Sequence, residues 1–216
     1  MKLKLSVLGI LIFLSCSAKA QLSDIIFRVG PNISQVRGNN FANDQSLFGF
    51  TAGAFVRYSI NSHTFLSGGL QYERNGFTIP DLVFADPFGN PRKGDVQSQF
   101  NYLVLPLMAE YSFGTRITFS IKSGPFVGYL LQRKTIVKWD DNQSDDQPFG
   151  DSDKHRFNFG LGVGAGVYFP LNKKLLLELN IEDHLGLTNV TGGSLANGNE
   201  KTNALNFTAG LVYLLK

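Results

Sequence analysis

Few residues of this 216-residue chain are of types that could do chemistry together. His184 stands beside Asp183 and Glu182, with Ser194 a short distance on, which supplies the hydroxyl, base and carboxylate of nucleophilic catalysis. The spacing works against that chemistry. Neighbours on an extended segment point to opposite faces, so His184 and Asp183 cannot pair directly. A second group, Asp140, Asp141, Asp145, Asp146, Asp151 and Asp153, has a density of carboxylates that calcium would favour. An EF-hand loop starting at Asp140 would need a glycine at its sixth position and a glutamate at its twelfth, and it has neither. A solvated acidic loop accounts for the group better. The third set is Arg28, Arg57, Glu73, Lys122, Glu178 and Glu182, charges spread over most of the chain. If folding brings them into one interior they must pair, which makes them braces first and an ion pathway second. No catalytic, cofactor-binding or metal-ligating residue is expected on these grounds, no cofactor, and no enzyme.

The elements that would position those charges begin after an N-terminal leader. Lys2 and Lys4 precede an apolar run from Leu5 to Leu14, followed by Ala18-Lys19-Ala20. This is the pattern of a cleaved signal peptide over residues 1–20, leaving Gln21 as the first residue of a 21–216 domain. The run is about ten residues, short of the roughly 20 that a spanning helix needs. A competing reading makes Phe13-Leu14-Ser15-Cys16 a lipoprotein box; Phe13 stands where a smaller aliphatic residue is usual. The leader removes three lysines and no acid from a chain with 20 basic and 17 acidic residues, so the remainder is neutral, 17 against 17. The sequence pI near 8.9 therefore gives no reason to expect nucleic acid as a partner. The only cysteine leaves with the leader, which excludes a disulfide framework, a thiolate metal site and a cysteine nucleophile in the exported product.

The rest of the chain alternates with a period of two. From 157 to 169, Phe157, Phe159, Leu161, Val163, Ala165, Val167 and Phe169 oppose Asn158, Gly160, Gly162, Gly164, Gly166 and Tyr168. From 47 to 60 the apolar row is Phe48, Phe50, Ala52, Ala54, Val56, Tyr58 and Ile60. Such alternation predicts long strands. Six more are drawn in the same way at about 25–36, 64–74, 98–111, 117–134, 174–187 and 203–215, eight in all. The connections at 61–63, 112–116 and 170–173 are short, whereas 37–46, 75–97, 135–156 and 188–202 are long. Short turns on one rim and long loops on the other predict an all-β fold, an eight-stranded antiparallel up-and-down transmembrane β-barrel in the outer membrane of a Gram-negative bacterium.

The choice of face follows from cost. Apolar residues outward avoid placing polar groups in hydrocarbon, and closure pairs every backbone group. Eight strands leave room inside only for side chains, so the Gly-rich and polar row faces in, with Phe55, Tyr168 and the six charges. A soluble lipocalin-like barrel would reverse the faces. Trp139, Tyr129 and Tyr111, near strand ends, suit an interfacial aromatic belt. In the last strand, Thr208, Gly210, Tyr213 and Leu215 resemble the signal read by the barrel insertion machinery, a partner expected during assembly; any final barrel strand would also end in alternating apolar residues.

Four segments carry a family likeness: Phe27-Arg-Val-Gly-Pro-Asn-Ile-Ser34, Tyr102-Leu-Val-Leu-Pro-Leu107, Gly124-Pro-Phe-Val-Gly-Tyr-Leu130, and the alternating glycines from Gly160 to Gly166. Together they resemble the PorT-like outer-membrane β-barrel family, the porin family of outer membrane protein beta-barrel domains, over about residues 25–215. The sequence departs from it at Val104, where that family often has glutamate, and at Asn158, where it often has aspartate. The resemblance implies a fold and a compartment, not an activity. Two functions remain open: a non-enzymatic barrel with a lumen closed by side chains, structural or binding an envelope or extracellular protein, and a small channel for ions or small solutes. Outer-membrane lipid is the partner common to both.

Overall fold

The computed structural model describes residues 21–38, 45–85, 91–139, 144–147, 156–189 and 200–215. The strands are β1 (Gln21–Arg37), β2 (Gln45–Ser59), β3 (Thr64–Ala85), β4 (Pro91–Gly114), β5 (Thr118–Trp139), β6 (Ser144–Gln147), β7 (Phe157–Pro170), β8 (Leu175–Gly186) and β9 (Lys201–Leu214). Each of the eight long strands pairs antiparallel with its neighbour in sequence, and β1 pairs with β9, so the sheet closes into a ring. The short β6 lies outside the ring against the far end of β5.

The tight turns are made by sequence-local hydrogen bonds. Asn61 Oδ1 accepts from the amides of His63 and Thr64 at 2.9 and 2.8 Å, and Asn172 Oδ1 accepts from those of Lys174 and Leu175 at 2.8 and 2.9 Å. In both, an asparagine side chain replaces a backbone acceptor and closes the turn. The third turn starts at Gly114, whose φ of +109° favours a residue without Cβ.

Along the ring the alternation resolves as expected. Phe27, Phe48, Leu161, Val163 and Leu211 point outward and are exposed, while Arg28, Phe55, Asn158, Gly162, Tyr168 and Gly210 point inward and are buried. Tyr111, with Phe113 and Phe119 stacked beyond it, marks the short-turn rim. Tyr129, with Phe157 and Phe159, marks the long-loop rim.

Three expectations need correction. The segment 75–97 is not an irregular loop, because β3 and β4 continue their ladder to Ala85↔Pro91. Alternation breaks there, with Asn75, Gly76, Phe77 and Thr78 all buried and an irregularity between Ile79 and Leu82 where Asp81 has φ +56°. The hairpin therefore lacks the period-two signature although its backbone remains paired. Likewise β5 runs to Trp139, inside the predicted 135–156 loop, and carries β6. From Ile79, just past its last pair with β2 at Gln45↔Thr78, to Ala85 the hairpin runs about 20 Å along the strand, so the ends of β3, β4 and β5, with β6, form a sheet projecting past the barrel rim. Trp139 sits on that projection, ten residues past Tyr129, against Phe84 and Arg92, so it is not part of the rim girdle.

Candidate functional site

The inward rows meet in layers along the barrel axis. Nearest the short-turn mouth, Arg57 from β2 pairs with Asp24 of β1 and, at 3.0 Å, with Glu110 of β4. Tyr168 of β7 donates its hydroxyl to the same Glu110 oxygen at 2.8 Å. The Arg57 guanidinium also lies 4.8 Å from the Tyr168 ring centroid and 4.5 Å from that of Phe65, so its faces meet aromatic rings while its edges meet carboxylates.

An apolar layer of Ile26, Phe55, Tyr168 and Val212 comes next, with Leu176 and Leu214 packed against it. Beyond it lies the central cluster. Arg28 grips Glu178 by two bonds, Nε to Oε2 at 2.6 Å and Nη2 to Oε1 at 2.9 Å. Lys122 Nζ reaches Oε1 of the same glutamate at 3.3 Å, and Arg28 Nη1 is 3.8 Å from Glu182. The two-pronged geometry is the strong form of a charge-assisted bond.

Glu182 continues the network to His184, whose Nε2 is 2.7 Å from Glu182 Oε1 and whose Nδ1 is 2.5 Å from Glu73 Oε1. Glu73 gathers amide donors as well: Gln71 at 2.7 Å, Asn75 at 3.2 Å and Asn206 at 3.4 Å. The His184 ring stacks on Phe126, centroids 4.7 Å apart. Phe126 belongs to a second apolar layer with Val36, Phe77, Phe100, Tyr102 and Val104, toward the long-loop end.

The β7 glycines make this arrangement possible. A Cβ at Gly162 would lie 2.2 Å from Met108 Cε and 3.1 Å from the His184 ring; one at Gly160 would lie 2.5 Å from the Phe126 ring. Large groups from β4, β5 and β8 occupy the space that side chains on β7 would need.

All six charges expected inside are inside and buried: Arg28, Arg57, Glu73, Lys122, Glu178 and Glu182. His184 joins them in the lumen, far from the surface position that nucleophilic catalysis at an outer rim would require, and Asp183 faces the opposite way. Ser194 lies outside the described residues, as do Asp140, Asp141, Asp151 and Asp153; Asp145 and Asp146 lie on β6. Among the described residues no group of three His, Cys, Asp or Glu side chains could hold a metal ion. The sequence reading missed Asp24, Glu110 and the buried Glu200. Glu110 shares a face with Tyr102, Val104 and Met108 in the same alternating run, so its placement was available from the pattern. Asp24 fell one residue outside the predicted first strand. The second apolar layer had no signal, because the rule of polar residues inward argues against it.

Residues 19–192 match the family described as outer membrane protein beta-barrel domain. The chain belongs to that family. It is accordingly a protein of the Gram-negative outer membrane, and the outward apolar rows are its lipid-facing surface. A comparison with curated proteins gives no match. Among solved structures, the outer membrane protein OprG from Pseudomonas aeruginosa shows 12% identity over 89% of this chain and 97% of that one, with a TM-score of 0.46. Ail, the attachment invasion locus protein of Yersinia pestis, in complex with the heparin analogue sucrose octasulfate, shows 16% identity over 89% and 100%, with a TM-score of 0.44. Outer Membrane Protein W of E. coli shows 14% identity over 90% and 99%, with a TM-score of 0.39.

Proposed function

We propose that this outer-membrane barrel is a non-conducting, non-enzymatic protein whose role is structural or partner-binding and is exercised at its long-loop end. The observation that carries the reading is the layering of the lumen. The central ion cluster lies between the Ile26–Phe55–Tyr168–Val212 layer and the layer built by Val36, Phe77, Phe100, Tyr102, Val104 and Phe126. An ion crossing the barrel would have to pass both apolar layers and break the charge pairs between them, at a cost in low dielectric that no replacement solvation offsets. The projecting sheet supports the second half of the proposal. It carries Val83 at 60% exposure and the Phe84–Trp139–Arg92 cluster beyond the lipid-facing belt, where a protein in the envelope or medium could reach them.

Planar bilayers test the proposal. Purified protein is expected to give no stable, reproducible conductance, and Arg57→Ala or Glu178→Ala to open at most a small leak together with a less stable fold. A steady wild-type conductance that responds to charge reversal at Glu178, yet not to changes around Asp145, would overturn the reading and restore the small channel. The same proposal takes residues 1–20 as a cleaved leader and 21–216 as the barrel domain, which N-terminal sequencing of the membrane-extracted chain checks at Gln21. The PorT-like assignment within the family is part of it too, supported by the segments at Phe27, Tyr102, Gly124 and Gly160.

A further inference from the structure

On the outward face of β8, β9 and β1 the lipid-facing belt ends in an unusual way. The β1–β9 ladder runs outward from Phe27↔Leu211 and Val29↔Ala209 to Ile33↔Leu205, then to Gln35↔Asn203, and closes on Arg37↔Lys201. The last pair sets two cations directly opposite each other on one face, an arrangement that is destabilising unless an anion lies between them. Arg37 does not turn away: its Nη2 donates to the carbonyl of Gly186 on β8 at 3.2 Å, which draws the guanidinium across β9. It also lies within electrostatic range of Asp183, beside Leu205 on the same face. Below the two cations, Asn203 Oδ1 and Asp183 Oδ1 are buried acceptors with no hydrogen-bond donor among the described residues.

We propose that this patch is a headgroup site for a phosphorylated glycolipid of the outer leaflet. Arg37 and Lys201 take the phosphate, and the acyl chains lie along Ile33, Leu205 and Phe207. Position and chemistry both commit the site to a lipid. It is at the long-loop rim, which is the external one, and the cations stand four residues past Ile33, about 13 Å along the strand from the apolar belt. A phosphate at that height belongs to a lipid whose tails the belt already holds. The Asp183 carboxylate lies at the level of Leu205, four residues below Lys201 along β9, so it stands on the membrane side of the two cations. Neither cation takes part in the lumen network, so the site stands or falls apart from the question of conduction.

The test is native mass spectrometry of the full mature chain released from detergent, titrated separately with diphosphoryl lipid A, its dephosphorylated form, phosphatidylglycerol and inorganic phosphate. Wild type is expected to retain lipid A in preference to the other three, and Arg37→Gln with Lys201→Gln to weaken that retention about tenfold, the scale of losing charge-assisted phosphate bonds. Lys173→Gln with Lys174→Gln, at the opposite rim, should leave retention unchanged. Heat-modifiable migration verifies folding of every variant, and the single Lys201→Gln variant serves if the double variant does not fold. Equal retention by wild type and patch variant, equal loss in the turn variant, displacement of lipid A by inorganic phosphate, or phosphatidylglycerol retained as well as lipid A would each overturn the proposal.

Discussion

Replacing Glu178 by glutamine should be among the most damaging single changes in the barrel. Glu178 is fully buried and, among the described residues, is the one carboxylate that both Arg28 and Lys122 contact, at 2.6 and 3.3 Å. Neutralising it leaves Arg28 with Glu182 at 3.8 Å and leaves Lys122 without its partner. Removing one member of a buried pair costs about 3–5 kcal/mol, because the remaining charge stays desolvated. Lys122→Met is the milder change, since Glu178 keeps both bonds from Arg28; losing one hydrogen bond to a charged group costs about 1.5–3 kcal/mol. In the double variant Arg28 and Glu182 remain as a pair and no uncompensated lysine is left. The two losses should therefore fall short of additivity by roughly 0.5–3 kcal/mol, the usual range for residues in direct contact.

Urea unfolding of protein reconstituted in lipid vesicles, scored by the folded and unfolded bands in unboiled gels, measures all three variants. These magnitudes hold for a lumen without bulk water around the cluster. A Glu178→Gln loss below about 1 kcal/mol, additive with that of Lys122→Met, is the behaviour of a solvent-exposed ion pair. That result would mean a water-filled lumen around the cluster and would overturn the closed interior on which non-conduction rests.

The chain should be extracted from membranes only with detergent and should migrate differently boiled and unboiled; recovery from the soluble periplasm would contradict the lipid-facing assignment. Leu161→Arg or Leu211→Arg should cost about 2–4 kcal/mol if the site lies near the bilayer midplane, measured by the same urea assay, while Asn197→Arg, in the connection that the sequence predicts over 188–202, should cost little; equal tolerance would mean the faces are reversed. Gly162→Val should overpack the lumen against Met108 and His184, destabilising by about 1–3 kcal/mol, and Met108→Ala should recover part of the loss; an undiminished penalty in the double variant would place the clash elsewhere.

How much of this was legible depended on what each residue faces. Where one side meets hydrocarbon and the other a narrow interior, the period-two pattern decides strand, face and register of alternation together, as at Phe157–Phe169, and all six predicted interior charges lie inside. Past the rim that contrast vanishes. The alternation already fails at the top of the ring, where the four residues from Asn75 to Thr78 are all buried, and beyond it both faces of the β3–β4 hairpin meet water or neighbouring side chains, so a paired ladder reads as a loop. The lumen's composition was legible only in part for a related reason. Polar residues inside were inferred from what lipid excludes, which says nothing about where interior space is dry enough to be filled by Phe77, Phe100 and Phe126 instead. His184 drew notice for catalytic chemistry because it adjoins Asp183 in sequence. Its contacts are Glu182, two residues away on the same face, and Glu73, brought across the lumen from β3.

The charged pairs across the lumen also answer a question that the apolar rows cannot. Shifting a strand by one residue would turn its lipid-facing row into the lumen and is excluded by the alternation itself. Shifting it by two preserves every outward and inward assignment, so hydrocarbon exerts little preference between the two registers. The interior does discriminate. Arg28 on β1 meets Glu178 on β8, Arg57 on β2 meets Glu110 on β4, and His184 on β8 meets Glu73 on β3, each pair joining strands that are not hydrogen-bonded neighbours. A two-residue slip displaces one partner by about 6.6 Å along the strand and strands both charges in a low-dielectric space, a loss on the scale of breaking a buried pair. Because the three pairs tie different strands together, a slip anywhere among β1, β2, β3, β4 and β8 breaks at least one of them. The ion network is thus better understood as the device that selects one register of a closed sheet than as a source of net stability.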